Sequence, residues 1–105
     1  MDKISAMQIF RRVTESGSFS AVSREMRLSQ PTVSKQIAAL EEDLGTKLLS
    51  RSTRELNLTD AGQRYYERCC QILDELDETE ADIRNQQNLP TGMLRINIPI
   101  AAGRI

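Results

Sequence analysis

The sequence predicts a mainly α-helical fold: a winged helix-turn-helix with a small β-hairpin wing, followed by a long linker helix suited to dimerisation. Three observations predict it. Three amphipathic segments with helix-capping residues fill the chain from Asp2 to Gly45. A weakly alternating stretch, KLLSRSTRELNL, follows from Lys47 to Leu58. Beyond it, no helix breaker interrupts the chain between Gly62 and Leu89, and apolar residues recur there at heptad spacing.

The elements follow in order. Asp2 is placed to cap a first helix through about Glu15, whose Ile4, Met7, Phe10 and Val13 form a broad apolar face. Gly17 stops it and Ser18 caps the next. That second helix, Phe19 to Met26, is short, and only Arg27 to Ser29 separate it from the third. The third has Ser29 as its cap and Pro31 in the first turn, where a missing N–H costs nothing. Its Val33, Ile37, Leu40 and Leu44, at steps of 4, 3 and 4, make one apolar stripe, and Gly45 ends it. Two helices joined by so tight a turn and braced by a third form a helix-turn-helix. The Lys47–Leu58 stretch, with its polar Arg51-Ser52-Thr53-Arg54 centre, reads as a hairpin. Thr59 caps the long helix and Asp60 meets the positive end of its dipole. A helix of that length spans about 42 Å.

This divides the chain into a winged helix-turn-helix domain (1–58), a linker and dimerisation helix (59–88), and a hinge with one strand (89–105). QQNLPTG, from Gln86 to Gly92, is the hinge, and MLRINIPI has strand character. A lone strand cannot satisfy its own edges, so the sequence looks like a piece of a longer protein whose second domain lies beyond it.

Composition sets bounds. The 105 residues allow one small domain and an extension, with a core of Leu, Ile, Val, Met and Ala, since Trp is absent and aromatics number four. The net charge of −1 does not by itself suggest a nucleic-acid ligand. The distribution does more: +2 over residues 1–58, −5 over 59–88 and +2 over 89–105. Cys69 and Cys70, adjacent on a helix, point about 100° apart and suit neither a mutual disulfide nor a shared metal. The chain reads as reduced, intracellular and cytoplasmic, with no signal peptide or membrane-spanning run. With no His, no metal-ligand cluster, no phosphate loop and no nucleophile elbow, it reads as a non-enzyme needing no cofactor.

The chemistry concentrates in the third helix. Opposite its apolar stripe lie Pro31, Lys35, Ala38 and Glu42, flanked by Thr32 and Ala39, with Gln30 and Ser34 at the margins. Polar side chains there reach base edges or phosphates, Lys35 supplies charge, and small residues permit close approach. The free N–H groups behind Ser29 favour a phosphate. Glu41, Glu42 and Asp43 come two turns later, where the helix would leave a DNA groove. Taken alone, the same residues better describe an ordinary amphipathic helix with a solvated outer face. Arg51 and Arg54 are open too: they can straddle phosphates from a hairpin tip, or merely guard a sheet edge.

In the long helix, Tyr65, Cys69, Ile72, Leu76, Thr79 and Ile83 are spaced 4, 3, 4, 3 and 4, a heptad seam. Its other faces are acidic. The seam outruns the core of a small domain, so a second copy of the chain is the simplest partner. Thr79 interrupts it and can fix register.

Together these stretches resemble the N-terminal part of LysR-type transcriptional regulators. The matching run is SFSAVSREMRLSQPTVSKQIAALEEDLGTKLLSRSTRELNLTDAG, Ser18 to Gly62, and GMLRINIP, Gly92 to Pro99, looks like the first strand of the family's effector-binding domain. The resemblance implies double-stranded promoter or operator DNA as partner, a homodimer or higher oligomer reading an interrupted dyad, and a small-molecule effector acting only through the second domain. By position, Gln30, Pro31, Thr32, Ser34 and Lys35 match the family's recognition-helix contacts, with Ser29 at their head, and Arg51 and Arg54 match its wing contacts. Leu49 departs from the usual Phe and Met26 from the usual Leu, both changes of packing rather than contact. The rival reading is a winged-helix and coiled-coil assembly module that binds protein instead of DNA.

Overall fold

A computed structural model describes residues 2–51 and 55–87. The elements are α1 (Lys3–Ser16), α2 (Phe19–Met26), α3 (Gln30–Leu44), β1 (Leu49–Arg51), β2 (Leu56–Leu58) and α4 (Asp60–Gln87). Arg54 and the expected strand after Gly92 lie outside the described residues, as does the hinge beyond Gln87. Two compact units result, residues up to Leu73 and residues from Asp74 on, so the first half of α4 belongs to the N-terminal unit.

The helix boundaries follow from local chemistry. The Ser18 hydroxyl accepts the Ala21 N–H at 3.1 Å, and the Ser29 hydroxyl accepts the Thr32 N–H at 3.2 Å. Each satisfies a donor that the first turn leaves unpaired. Gly17 and Gly45 close α1 and α3 at φ 72° and 74°. Asp2 stands at the head of α1, but its carboxylate takes the Ser5 hydroxyl at 2.7 Å and caps no backbone N–H. The α2–α3 turn has no glycine. Arg27 itself adopts the left-handed conformation, φ 58°, and Leu28 N–H returns to the Ser23 carbonyl at 2.9 Å. That leaves Ser29 extended, ready to cap α3.

The core gathers Ala6, Met7, Ile9, Phe10 and Val13 of α1, Val22 of α2, Val33, Ile37 and Leu40 of α3, Leu48, and Cys69 and Leu73 of α4. Phe10 and Tyr65 stack at a tilt, ring centres 5.6 Å apart. Two expected core residues sit at its margin: Ile4 and Leu44 are 37% and 38% exposed. Both are at helix ends, and Leu44 lines an open groove with Ala61 and Tyr65 of α4.

The wing is a two-stranded antiparallel hairpin pairing Leu49 with Leu58, Ser50 with Asn57 and Arg51 with Leu56. So short a ribbon is unstable alone. Its base is held from both sides. Thr59 donates its N–H to the Leu48 carbonyl (3.0 Å) and its hydroxyl to the Lys47 carbonyl (2.7 Å), while that hydroxyl also accepts the Gly62 N–H (2.9 Å) and caps α4. Gly62 lets the helix approach so closely, since a Cβ there would lie 2.0 Å from the Leu48 carbonyl oxygen.

Candidate nucleic-acid interface

The opening turns of α3 present a polar surface to solvent. Gln30, Pro31 and Lys35 are exposed, Thr32 and Ser34 half-buried, and Ala38 is a bare small residue one turn further along. Ser29 is exposed, yet its hydroxyl is already committed: it caps Thr32 N–H and lies 2.8 Å from the Thr32 hydroxyl. Gln30, Ser34 and Lys35 therefore carry the freer polar groups, while Ser29 and Thr32 shape the helix end.

The hairpin brings Arg51 to the same face. Gln30, Ser34 and Arg51 line one shallow open groove together with Phe19. A second groove joins Ser34 and Ala38 to Lys47, Ser50 and Arg51. The Arg51 guanidinium lies 4.4 Å from the centre of the Phe19 ring, a cation–π contact that limits the wandering of a long side chain. Phe19, at the start of α2, was silent in the sequence, where it reads only as the first apolar residue of a short helix.

Two of the three acidic residues at the end of α3 stand near cations. Asp43 is paired with Lys3, and Glu41 Oε1 lies 3.7 Å from Lys47 Nζ. Glu41 is not the solvated residue the sequence suggests. Its side chain is only 11% exposed, and one carboxylate oxygen accepts the N–H groups of Leu48 and Leu49 at 2.8 and 3.1 Å.

Away from this face a polar network braces the helices. The Arg12 fork donates to both carboxylate oxygens of Glu25, at 2.7 and 2.8 Å, and to Glu15 at 2.5 Å, tying α1 to α2. Tyr66 of α4 donates its hydroxyl to Glu15 at 2.8 Å. The hydrogen bond from Arg12 holds Glu25 below its ordinary range. For Glu15, burial pushes the value up but the bonds from Tyr66, Arg12 and Arg11 outweigh it, and the net shift is down. Burial raises the Cys69 thiol to about 11, which makes it a poor nucleophile.

The heptad seam needs one correction. Cys69 is fully buried within its own chain and offers no face to a second chain, whereas half-buried Tyr65 packs against the same core and also lines an open groove with Leu44 and Arg68. The core-facing stripe of α4 runs through Gly62, Tyr65, Tyr66, Cys69 and Leu73. Ile72 and Ile83 are 48% and 50% exposed, Thr79 is exposed and Leu76 half-buried. Among the described residues no helix is apolar enough to cross a membrane, and no group of His, Cys, Asp or Glu could hold a metal ion.

A tight helix-turn-helix whose polar helix end shares a face with a cationic hairpin defines a winged-helix DNA-binding domain. Comparison with known proteins agrees. Residues 4–63 match the family model described as bacterial regulatory helix-turn-helix protein, lysR family, and the chain belongs to that family. It is 38% identical to the HTH-type transcriptional activator AaeR of Escherichia coli (strain K12), over 91% of this chain and 31% of that protein. It is also 38% identical to an HTH-type transcriptional repressor of Pseudomonas aeruginosa (strain UCBPP-PA14), over 99% of this chain and 33% of that one. The chain thus spans about a third of the length of these curated relatives. Among solved structures it resembles the BenM_DBD/catB site 1 DNA complex, with TM-score 0.79 and 28% identity over 83% of this chain and 98% of that one. The CbnR_DBD–DNA complex is similar at TM-score 0.72 and 34% identity, over 78% and 94%.

Proposed function

We propose that this chain binds specific promoter or operator sites on double-stranded DNA as a homodimer in the cytoplasm, as the DNA-binding part of a transcription regulator. The observation that carries the reading is the convergence of Gln30, Ser34 and Arg51 on one groove. The start of α3 enters the major groove. Gln30 and Ser34 read base edges, Pro31 and Thr32 shape the approach, and Lys35 meets phosphate. Ser29 keeps the helix N-terminus capped, with its remaining N–H groups turned to the backbone. Arg51, and Arg54 beyond the described residues, extend contact from the wing to the flanking backbone or minor groove. The likeness to BenM and CbnR segments crystallised with DNA supports this assignment.

The division of labour follows the sequence: residues 1–58 for DNA, 59–88 for pairing, and 89–105 leading to a second domain through which a small molecule acts. Ile72, Leu76, Thr79 and Ile83 are the pairing residues, since they keep accessible surface.

Salt titration tests the site. Lys35→Ala and Arg51→Ala should each reduce the log–log salt slope of DNA binding by about 0.9. Gln30→Ala and Ser34→Ala should cost specific binding about 1–3 kcal/mol each and leave random DNA nearly unaffected. Equal weakening on operator and random DNA would make them backbone contacts only. Failure of the wild-type chain to bind heparin or shift promoter DNA would favour the protein-assembly alternative.

A further inference from the structure

We infer that Glu41 is a positioning residue for the wing: by accepting the N–H groups of Leu48 and Leu49, it fixes β1, and hence Arg51, relative to the DNA-facing turns of α3. This rests on the DNA-binding reading above and adds a residue that makes no contact with DNA itself.

The geometry is particular. Glu41 projects from α3 near the end of the proposed contact face, and one oxygen, Oε2, takes both N–H groups, at 2.8 and 3.1 Å. The carbonyls of Leu48 and of the preceding Lys47 are held from the other side, by Thr59, which caps α4. Leu48 is itself buried, 1% exposed, so its N–H has no ready access to water if Glu41 is removed. Only Glu41 connects this segment by side-chain hydrogen bonds to the recognition helix itself, among the described residues. Arg51 is two residues beyond Leu49 on the same strand, so a shift at the base of β1 carries the guanidinium with it. The other oxygen, Oε1, lies 3.7 Å from a Lys47 ammonium that is 80% exposed, a weak contact that the proposal does not need.

Because one oxygen accepts both N–H groups, the requirement is for an acceptor at a set reach and not for charge. An amide oxygen also has two lone pairs. Glu41→Gln therefore keeps the wing in place, whereas Glu41→Asp, one methylene shorter, and Glu41→Ala do not.

The test measures operator binding by the 105-residue chain across a salt series, well below the unfolding temperature of each variant. Arg51→Ala in the wild-type background gives the wing its measured share, a slope loss of about 0.9. Glu41→Ala and Glu41→Asp are expected to lose a similar slope, and adding Arg51→Ala to either should change it little further. Glu41→Gln should retain the wild-type slope and the full effect of Arg51→Ala. If Glu41→Ala only lowers the melting temperature, and Arg51→Ala still exacts its whole loss in that background, Glu41 is a stabilising residue alone and the inference fails. The same holds if Glu41→Gln behaves like Glu41→Ala. A null effect of Arg51→Ala in the wild type would instead overturn the wing's role in the DNA-binding reading, and this inference with it.

Discussion

The two halves of α4 carry similar apolar periodicity and put it to different uses. Up to Leu73 much of the apolar surface is consumed by the chain's own core, with Cys69 0% and Leu73 3% exposed, although Ile72 stays 48% exposed. From Asp74 onward the helix belongs to a separate unit, and its large apolar residue Ile83 is half exposed on a strongly acidic background. A heptad spacing states that a helix has a partner without saying which. The first half folds this chain, and the second is available to join it to another.

The sharpest way to break that contrast is to put one charge in each half. Leu73→Asp would bury an unpaired carboxylate in the core cluster that includes Cys69, one turn earlier on α4, at a cost of several kcal/mol. That is comparable to the whole stability of a small domain, so loss of cooperative thermal unfolding is expected. A chain that still melts cooperatively near the wild-type temperature would show that Leu73 is not core.

Next in size is the contact between α4 and the wing base. Gly62→Ala places a methyl 2.0 Å from the Leu48 carbonyl oxygen, against backbone that cannot simply swing aside. Overpacking of this kind costs about 1–3 kcal/mol, readable as a lower urea midpoint at an unchanged slope. A neutral result would mean that α4 is free to shift its first turn. Thr59→Ala removes the cap and the bond to Lys47, and about 1 kcal/mol is the expected loss. Thr59→Ser should restore most of it.

The smallest expected effect lies in the ion network between α1 and α2. Glu15 and Glu25 both titrate below the ordinary value of 4.5 in the folded chain. Their contribution is therefore present above that value and lost as pH falls through their lower folded values. Arg12→Gln should flatten the acid limb of a stability–pH curve while changing little at neutral pH, because these groups are largely exposed. An unchanged acid limb would show the network to be without energetic weight.

Much of this architecture is legible in the sequence, for reasons local to particular residues. As caps, Ser18, Ser29 and Thr59 each accept an N–H three residues on, and Gly17 and Gly45 supply a backbone conformation that other residues resist. The polar start of α3 needs only helix periodicity to be gathered on one face. What escapes the sequence depends on where distant segments come to lie. Cys69 sits at heptad spacing with Ile72, yet an ordinary helix drifts about 20° per heptad from a strict seam, and the core follows Cys69 to Leu73 instead. Glu41 reads as part of a solvated acidic run until Leu48 and Leu49 bring it two N–H groups. Phe19 gains its role from Arg51, more than thirty residues later. Arg27 takes up a left-handed turn without glycine, stabilised by bonds that only the folded turn provides.

The division of α4 is tested most directly by sedimentation equilibrium of Leu76→Asp beside the wild type, at micromolar concentration, followed by gel shift on a dyad operator and on an isolated half-site. Leu76 is half-buried and lies beyond the core-forming stretch. The variant should sediment as a monomer with its thermal transition preserved, lose operator affinity steeply, and bind the half-site nearly as wild type does. A Leu76→Asp chain that sediments as a dimer with full operator affinity would contradict the assignment of the distal half of α4 to a second copy of this chain.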